Sequence, residues 1–288
     1  MTELEFQKRI ANDTMHLSYS SIGHLLKSPK NFKRYSLRKA KPPTPAMIFG
    51  IALHEYILEP LEFEKNFFIV PEHIKKNTKA GKTEYAEIKG NHFAKHYLKL
   101  PTFEKIEPKE GIDLRKPNTR KFKATPLKQK DFETIQGMRD AFMEVDMCKK
   151  LLEGATSLEE FAEIEYEGVK IKMKLDIVGQ NYIVDLKTCV DASWRKFHSD
   201  IWNRKYYLQS AIYSLTNPDA EMYLIALDRD FGVSIHLIDQ SAIDKGFQLL
   251  NRAIAKFNES KLLEDGFDRN IEAYVPNGSP YFTFETLN

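Results

Sequence analysis

Residues 169–188 read VKIKMKLDIVGQNYIVDLKT, and their periodicity decides the fold. Val169, Ile171, Met173 and Leu175 alternate with Lys170, Lys172, Lys174 and Asp176; further on, Val184 and Leu186 alternate with Asp185 and Lys187. A period of two is that of a strand, in which alternate residues share a face. Gly179-Gln180-Asn181 interrupts the pattern and predicts a short connection between two antiparallel strands. Such a hairpin brings Asp176 close to Asp185 and Lys187. Two carboxylates and an ammonium are then expected on one open surface, with the three lysines leading along the same face toward Asp176.

Working outward, residues 161–166 show the same period and are joined to Val169 by Glu167-Gly168, so segments 161–166, 169–178 and 182–188 form an antiparallel meander. Downstream come a helix at about 204–216, strands EMYLIALD and VSIHLID, and a long helix from about 241 to 263. Upstream, Phe132, Ile135, Met138, Phe142, Val145 and Leu152 recur at helical spacing over 131–153, and Gly154 is a natural stop. The pattern predicts an α/β fold whose mixed sheet, an antiparallel meander plus further strands, is flanked by helices.

The remaining elements lie further toward the N-terminus. AMIFGIALHEYILEP reads as a buried helix ending before Pro60, with His54 in its middle. Ser18, Ser20 or Ser21 is placed to cap a short helix through His24-Leu25-Leu26, and Pro29 reads as its stop. Residues 71–130 are rich in Lys, Pro, Gly and Thr and show weak periodicity, so they read as a basic, insertion-rich region with a helix near 83–99. With no repeat of solenoid length, 1–288 reads as one domain.

Composition excludes several classes. The chain has 288 residues, of which 42% are hydrophobic and 29% charged, as in an ordinary folded protein rather than a disordered one. Two cysteines, Cys148 and Cys189, are too few for a four-thiolate zinc site or an iron–sulfur cluster. Any catalytic metal is therefore expected on oxygen and histidine. No apolar run approaches the roughly 20 residues that span a bilayer, and MTELEFQKRI lacks the apolar core of a signal peptide. No membrane partner is expected, and the location is expected to be cytoplasmic.

The net charge of +2 conceals an asymmetry. Residues 1–45 carry 9 basic and 3 acidic side chains, residues 71–130 carry 16 and 7, and residues 131–288 carry 17 and 27. A basic first half and an acidic second half suit a protein that gathers a polyanion with one surface and holds metal cations with another. Two solvated faces of opposite sign would produce the same count.

Paired carboxylates offer the hard oxygens that Mg²⁺ or Mn²⁺ take while keeping waters and binding phosphate. A lysine beside them can orient an attacking water or stabilise charge developing on the phosphate. Taken alone, Asp185-x-Lys187 is ordinarily a surface ion pair, and a helix histidine such as His54 is ordinarily a core residue. The order Asp176, then Asp185-Leu186-Lys187, then Gln209-x-x-x-Tyr213 is more specific. It resembles the PD-(D/E)xK nuclease superfamily in its RecB-like branch, with Leu175 where the motif name has proline. LSYSSIGHLLKSP and FGIALHEYILEP further resemble the opening of RecE-type phage and prophage exonucleases of the exodeoxyribonuclease VIII kind, and His54 matches the metal-site histidine of their early helix.

The resemblance implies a restriction-endonuclease-like core and hydrolysis of DNA phosphodiesters without a covalent intermediate. It implies Mg²⁺, with Mn²⁺ able to substitute, held by His54, Asp176 and Asp185 with the Leu186 carbonyl as a further ligand. Lys187 would position the water and help deprotonate it. Gln209 and Tyr213, four apart and on one helix side, would contact DNA or steady the site. Glu163, on the first meander strand, is where related nucleases often carry an acidic residue near the metal; a solvated strand face is the plainer reading. The RecE likeness further implies 5′-to-3′ digestion of linear duplex ends, a 3′ single strand for a single-strand annealing protein in phage-type recombination, a homo-oligomeric ring and, if phage-encoded, the host cytoplasm.

For DNA contacts, Lys172 and Lys174 lead to Asp176. The stretch SWRKFHSDIWNRKYY interleaves aromatics with cations, including Arg204, Lys205 and Tyr206, a mixture that can hold phosphates and stack on frayed bases. Core packing explains the same aromatics. No GxxxxGK[ST] loop occurs, which argues against a built-in ATP motor. Two alternatives remain open: a structure-specific or single-strand nuclease of the same superfamily, and a non-catalytic DNA- or partner-binding module on the same fold.

Overall fold

The computed structural model describes residues 1–97, 124–263 and 265–268. Its centre is a six-stranded mixed sheet. The meander is present as β4 (Ala155–Tyr166), β5 (Val169–Gly179) and β6 (Tyr182–Thr188). Glu167 and Gly168 turn β4 into β5 with φ of 49° and 71°, the pair of positive values that a two-residue hairpin matching the strand twist requires. β7 (Glu221–Leu227) then lies parallel to β6, and β8 (Val233–Ile238) returns antiparallel to β7. A short β1 (His16–Leu17) pairs parallel with β5 at Lys170 and Ile171. The expected α/β architecture is therefore found.

Helices cover both faces. On one lie α1 (Glu3–Ala11), α2 (Tyr19–Lys27), α3 (Pro29–Leu37), α9 (Trp194–Asn203), α10 (Tyr206–Ser214) and α11 (Gln240–Leu262), closing a core with Leu17, Ile171, Leu175, Ile183, Met222 and Leu224. On the other lie α4 (Pro45–Leu58), α5 (Pro60–Asn66), α7 (Gln129–Glu144) and α8 (Asp146–Glu153), against Ile177, Val184, Leu186, Tyr223 and Ile225. A satellite pair, β2 (Phe67–Val70) and β3 (Thr125–Lys128), packs with α6 (Lys79–Tyr97).

Several boundaries differ from the sequence expectation. The helix expected over 131–153 is two helices, hinged at Val145, whose ψ of 107° is extended. Pro29 both stops α2 and starts α3, because a first-turn proline has no N–H to leave unsatisfied. Ser18 is the cap of α2, accepting from the Ser21 N–H. The strand expected at 161 begins at Ala155, and Trp194–Asn203 forms a helix of its own. Of the basic region 71–130, residues 98–123 lie outside the described residues.

Two features of this framework position the site. Leu175 packs in the first core and Ile177, two residues on, in the second. Residues two apart on a regular strand share a face, so β5 turns over at Asp176. The neighbouring strand does the same: Leu158 packs against the second core and Ala162 against the first, with Glu159 between them at a φ of 52°. The second feature is Gly246 on α11, where a Cβ would stand 2.4 Å from the Tyr207 carbonyl oxygen and 2.5 Å from Ala211 Cβ. Glycine there lets α11 lie directly against α10.

Candidate active site

β5 and β6 pair only at Ile177 with Val184 and Val178 with Ile183. The next pair in register would be Asp176 with Asp185, and there the strands part. The Leu186 N–H donates to Asp176 Oδ2 at 2.7 Å instead of entering a β5 ladder. The fork is thus built by the strands themselves and holds both carboxylates at its mouth.

On one side of the fork, α4 brings His54 Nδ1 to 3.6 Å from Asp176 Oδ2 and 3.9 Å from Glu159 Oε1. Donor atoms of His54, Glu159 and Asp176 all lie within 4.8 Å of one another. Lys174 forms an ion pair with Glu159. On the other side, Asp185 Oδ2 faces Lys187 Nζ at 2.5 Å, and Asp185 Oδ1 accepts from Gln209 Nε2 at 2.9 Å. Gln209 also accepts from Lys187 at 3.0 Å and donates to the Tyr213 hydroxyl at 2.6 Å, so its amide is committed at both ends. Helical spacing places Gln209 and Tyr213 on one side of α10 for this purpose. The Tyr206 ring lies 4.9 Å from the Lys187 ammonium.

Burial pushes the charges of this cluster in different directions. For Asp176, desolvation alone would raise the pKa, but His54, Lys187 and the Leu186 N–H outweigh it and hold the carboxyl below its ordinary value. Asp185 is 2% exposed, and there desolvation wins over Lys187 and pushes its pKa up to about 6. His54 is raised, its desolvation overcome by Asp176 first and by Asp185 and Glu159. Lys187 likewise stays an ammonium, since Asp185 outweighs its burial. Tyr213 is raised by desolvation and the neighbouring carboxylates and remains a phenol.

The geometry brings together His54, Asp176, Asp185, Lys187, Gln209 and Tyr213, each named from the sequence. It differs from the sequence expectation in three respects. The carboxylates are buried, Asp176 at 7% exposure and Asp185 at 2%, where an open strand face was expected. Of the lysines expected to lead toward Asp176, Lys172 and Lys174 are exposed, and Lys174 pairs with Glu159 instead of standing alone. The acidic side chain that the first meander strand contributes is Glu159, whereas Glu163 is half-exposed and pairs with His16 at 2.9 Å. The sequence signal for Glu159 was Leu158-Glu159-Glu160-Phe161, where alternation fails.

Leu186 contributes its N–H, while its side chain is buried in the second core. Arg204 and Lys205 lie just before α10: Arg204 is 3.5 Å from Asp200, and Lys205 adopts a left-handed φ of 58°. Phe197, in the aromatic stretch, is fully buried, as its core reading requires, whereas Trp194 is exposed.

The donor set suits a hard divalent cation. Carboxylate oxygens and one imidazole are ligands that Mg²⁺ and Mn²⁺ accept, and the buried Asp185 Oδ2 makes no hydrogen bond of good geometry despite the ammonium facing it. No described helix is long and apolar enough to cross a membrane.

A family model described as a PDDEXK-like domain of unknown function (DUF3799) matches residues 18–265. Among solved structures, the crystal structure of a presumed exonuclease from Eubacterium rectale is 15% identical, with a TM-score of 0.55, covering 94% of this chain and 88% of that one. At that identity it shows a shared fold. A second structure, SSO0001, is 16% identical over 73% of this chain and 86% of that one, and its TM-score of 0.27 carries no argument. No curated protein matches.

Proposed function

The chain belongs to this PDDEXK-like family, and from that membership we propose that it is a divalent-metal-dependent deoxyribonuclease, with Mg²⁺ as its natural cation and Mn²⁺ able to substitute. The observation that carries the reading is the fork: a His54–Glu159–Asp176 donor cluster beside a lysine that Asp185 and Gln209 fix in place. When bound there, the cation supplies Lewis acidity toward the phosphate and neutralises its charge. Glu159, Asp176, His54 and Asp185 would hold it.

The chain's own groups do the rest. Lys187, held as an ammonium, orients the attacking water and meets negative charge developing on the phosphate. Gln209 keeps Lys187 and Asp185 in register, and Tyr213 anchors Gln209. Asp185 in turn holds the Lys187 ammonium through Oδ2.

We further propose a single 1–288 domain that digests linear duplex DNA from 5′ ends in the cytoplasm, as a homo-oligomeric ring, leaving 3′ single strands for an annealing protein. The support is the RecE-like pair of motifs around Ser18 and His54, together with the basic first half. Lys172, Lys174, Arg204, Lys205 and Tyr206 would contact the DNA. The decisive experiment incubates the purified protein and Mg²⁺ with linear and covalently closed duplexes, each end labelled in turn. Loss of the linear form from its 5′ label while circles persist is expected. Prompt cutting of closed circles would replace the end-dependent reading with an endonuclease.

A further inference from the structure

Three side chains of α10 fall on one stripe of the helix. Tyr206, Gln209 and Tyr213 stand at i, i+3 and i+7, the spacing that aligns residues along one side. Gln209 and Tyr213 use that alignment to reach the fork, and Tyr206 has the same address one turn earlier. Its ring centre lies 4.9 Å from Lys187 Nζ, within the roughly 6 Å over which an aromatic face attracts an ammonium.

The ring is supported from behind. Phe197, fully buried, stacks on it with centroids 5.9 Å apart and planes 28° from parallel. The backbone that delivers the ring is fixed as well. Lys205, at a left-handed φ of 58°, reverses the chain between α9 and α10, and its carbonyl accepts from the Leu208 N–H at 2.9 Å. The Tyr19 hydroxyl donates to the Arg204 carbonyl at 2.7 Å and ties the same turn to α2. Tyr206 is therefore the first residue of α10 and leaves a turn that is pinned on both sides.

Lys187 has a use for such a support. An ammonium carries three N–H donors, and in the fork Asp185 Oδ2 and Gln209 Oε1 face it at 2.5 and 3.0 Å. Under the nuclease reading Asp185 also serves the cation, so the lysine needs holders that do not. A further carboxylate would compete for the cation and draw the ammonium away from the phosphate. An aromatic face attracts the positive charge through its quadrupole and adds no net charge.

We infer that Tyr206 is a positioning residue for catalysis: its ring face, backed by Phe197, holds the Lys187 ammonium in line for the scissile phosphate. The inference deepens the nuclease reading and rests on it. It is separate from the DNA contact proposed for the same side chain, because it acts on the rate at saturating DNA rather than on affinity.

Tyr206→Leu removes the ring, and Tyr206→Phe removes only the hydroxyl. With Mg²⁺ and saturating linear duplex, Tyr206→Leu should lower kcat about tenfold, and Tyr206→Phe should bring it back to within about twofold of wild type. Phenylalanines bearing one, two and three ring fluorines at this position keep the shape and drain the π face. Log kcat should then fall step by step with fluorine number, while the melting temperature and the Kd for DNA in EDTA show no such trend. A second readout needs no turnover. In metal-free protein with isotope-labelled lysine, the Lys187 ε-protons, assigned by their loss in Lys187→Arg, should be shifted upfield by the ring and return toward the ordinary lysine position in Tyr206→Leu. An unchanged kcat in Tyr206→Leu with only a weaker Kd would overturn the inference and leave a DNA contact alone. Equal losses of kcat in Tyr206→Phe and Tyr206→Leu would move the role to the hydroxyl, and a fluorine series without slope would reduce the ring to packing; either result overturns it. If the wild type cleaves no DNA with Mg²⁺, the nuclease reading fails, while the Lys187 resonance still shows whether the ring holds the ammonium.

Discussion

Asp176 and Asp185 stand at the same fork, one register step beyond the last β5–β6 pair, and both are almost fully buried. Their ionisation nevertheless runs in opposite directions, lowered for Asp176 and raised to about 6 for Asp185. Burial is common to both, so the partners decide. Asp176 accepts a backbone N–H and lies beside an imidazole, whereas Asp185 shares a single ammonium and one amide hydrogen with its neighbours. The fork has one side on which His54, Glu159 and Asp176 cluster and another on which Asp185, Lys187 and Gln209 are bonded to one another.

If that division is right, Asp185→Ala and Lys187→Ala should lower cleavage by on the order of 10³-fold or more, with circular dichroism unchanged, since each removes a group acting on the reacting atoms. Wild-type rates in either variant would break the comparison outright. On the anionic side, Glu159→Gln should weaken Mn²⁺ binding by roughly 10- to 100-fold, an effect of the size seen when metal-site groups are altered. Glu163→Gln, which touches His16 instead, should leave Mn²⁺ affinity unchanged in calorimetry.

A pH series separates the two carboxylates without DNA. Asp185, raised from 3.8 to about 6, holds a proton more tightly folded than unfolded. Its contribution is fully present below about pH 4 and is lost as pH rises through 6. For Asp176, lowered from 3.8, the contribution is present above that value and lost as pH falls. Metal-free wild type minus Asp185→Asn should therefore lose on the order of 1–3 kcal/mol of stability between pH 4 and 7, read by urea denaturation. Because the cation competes with that proton, stabilisation by Mn²⁺ should grow over the same window. A flat difference would show that Lys187 keeps Asp185 ionised throughout.

The smallest expected effect concerns the salt dependence of DNA binding. DNA affinity should fall with salt at a log–log slope on the order of −4 to −5 if about a third of the basic charge in residues 1–45 and 71–130 meets phosphate. Neutralising Lys121, Lys123, Lys128 and Lys130 together should flatten that slope while single-turnover cleavage at low salt persists. An unchanged slope would make that cluster a solvated face.

How far the sequence reveals this arrangement depends on whether each residue obeys a local period. Asp185 and Lys187 sit on a regular strand and Gln209 and Tyr213 on a regular helix turn, so spacing alone places each pair. Glu159 was hidden because its left-handed φ reverses the pleat, and a period-two pattern read through that point assigns side chains to the wrong face. Burial of the carboxylates was equally illegible, since it comes from α4 and α10 closing over the fork from distant parts of the chain. The break at Val145 carries no glycine or proline to announce it.

Gly246 extends the same lesson to a residue with no chemistry of its own. The hydrogen bonds of Gln209 can hold Lys187 only if α10 lies at a fixed depth, and that depth is set by the contact between Gly246 and the Tyr207 carbonyl. One added methyl would have to lift the helix, and the displacement would be passed directly to the amide. Alignment of the fork in this protein is in that sense a machining tolerance of the scaffold, held by a missing side chain on the opposite side of the helix from Gln209.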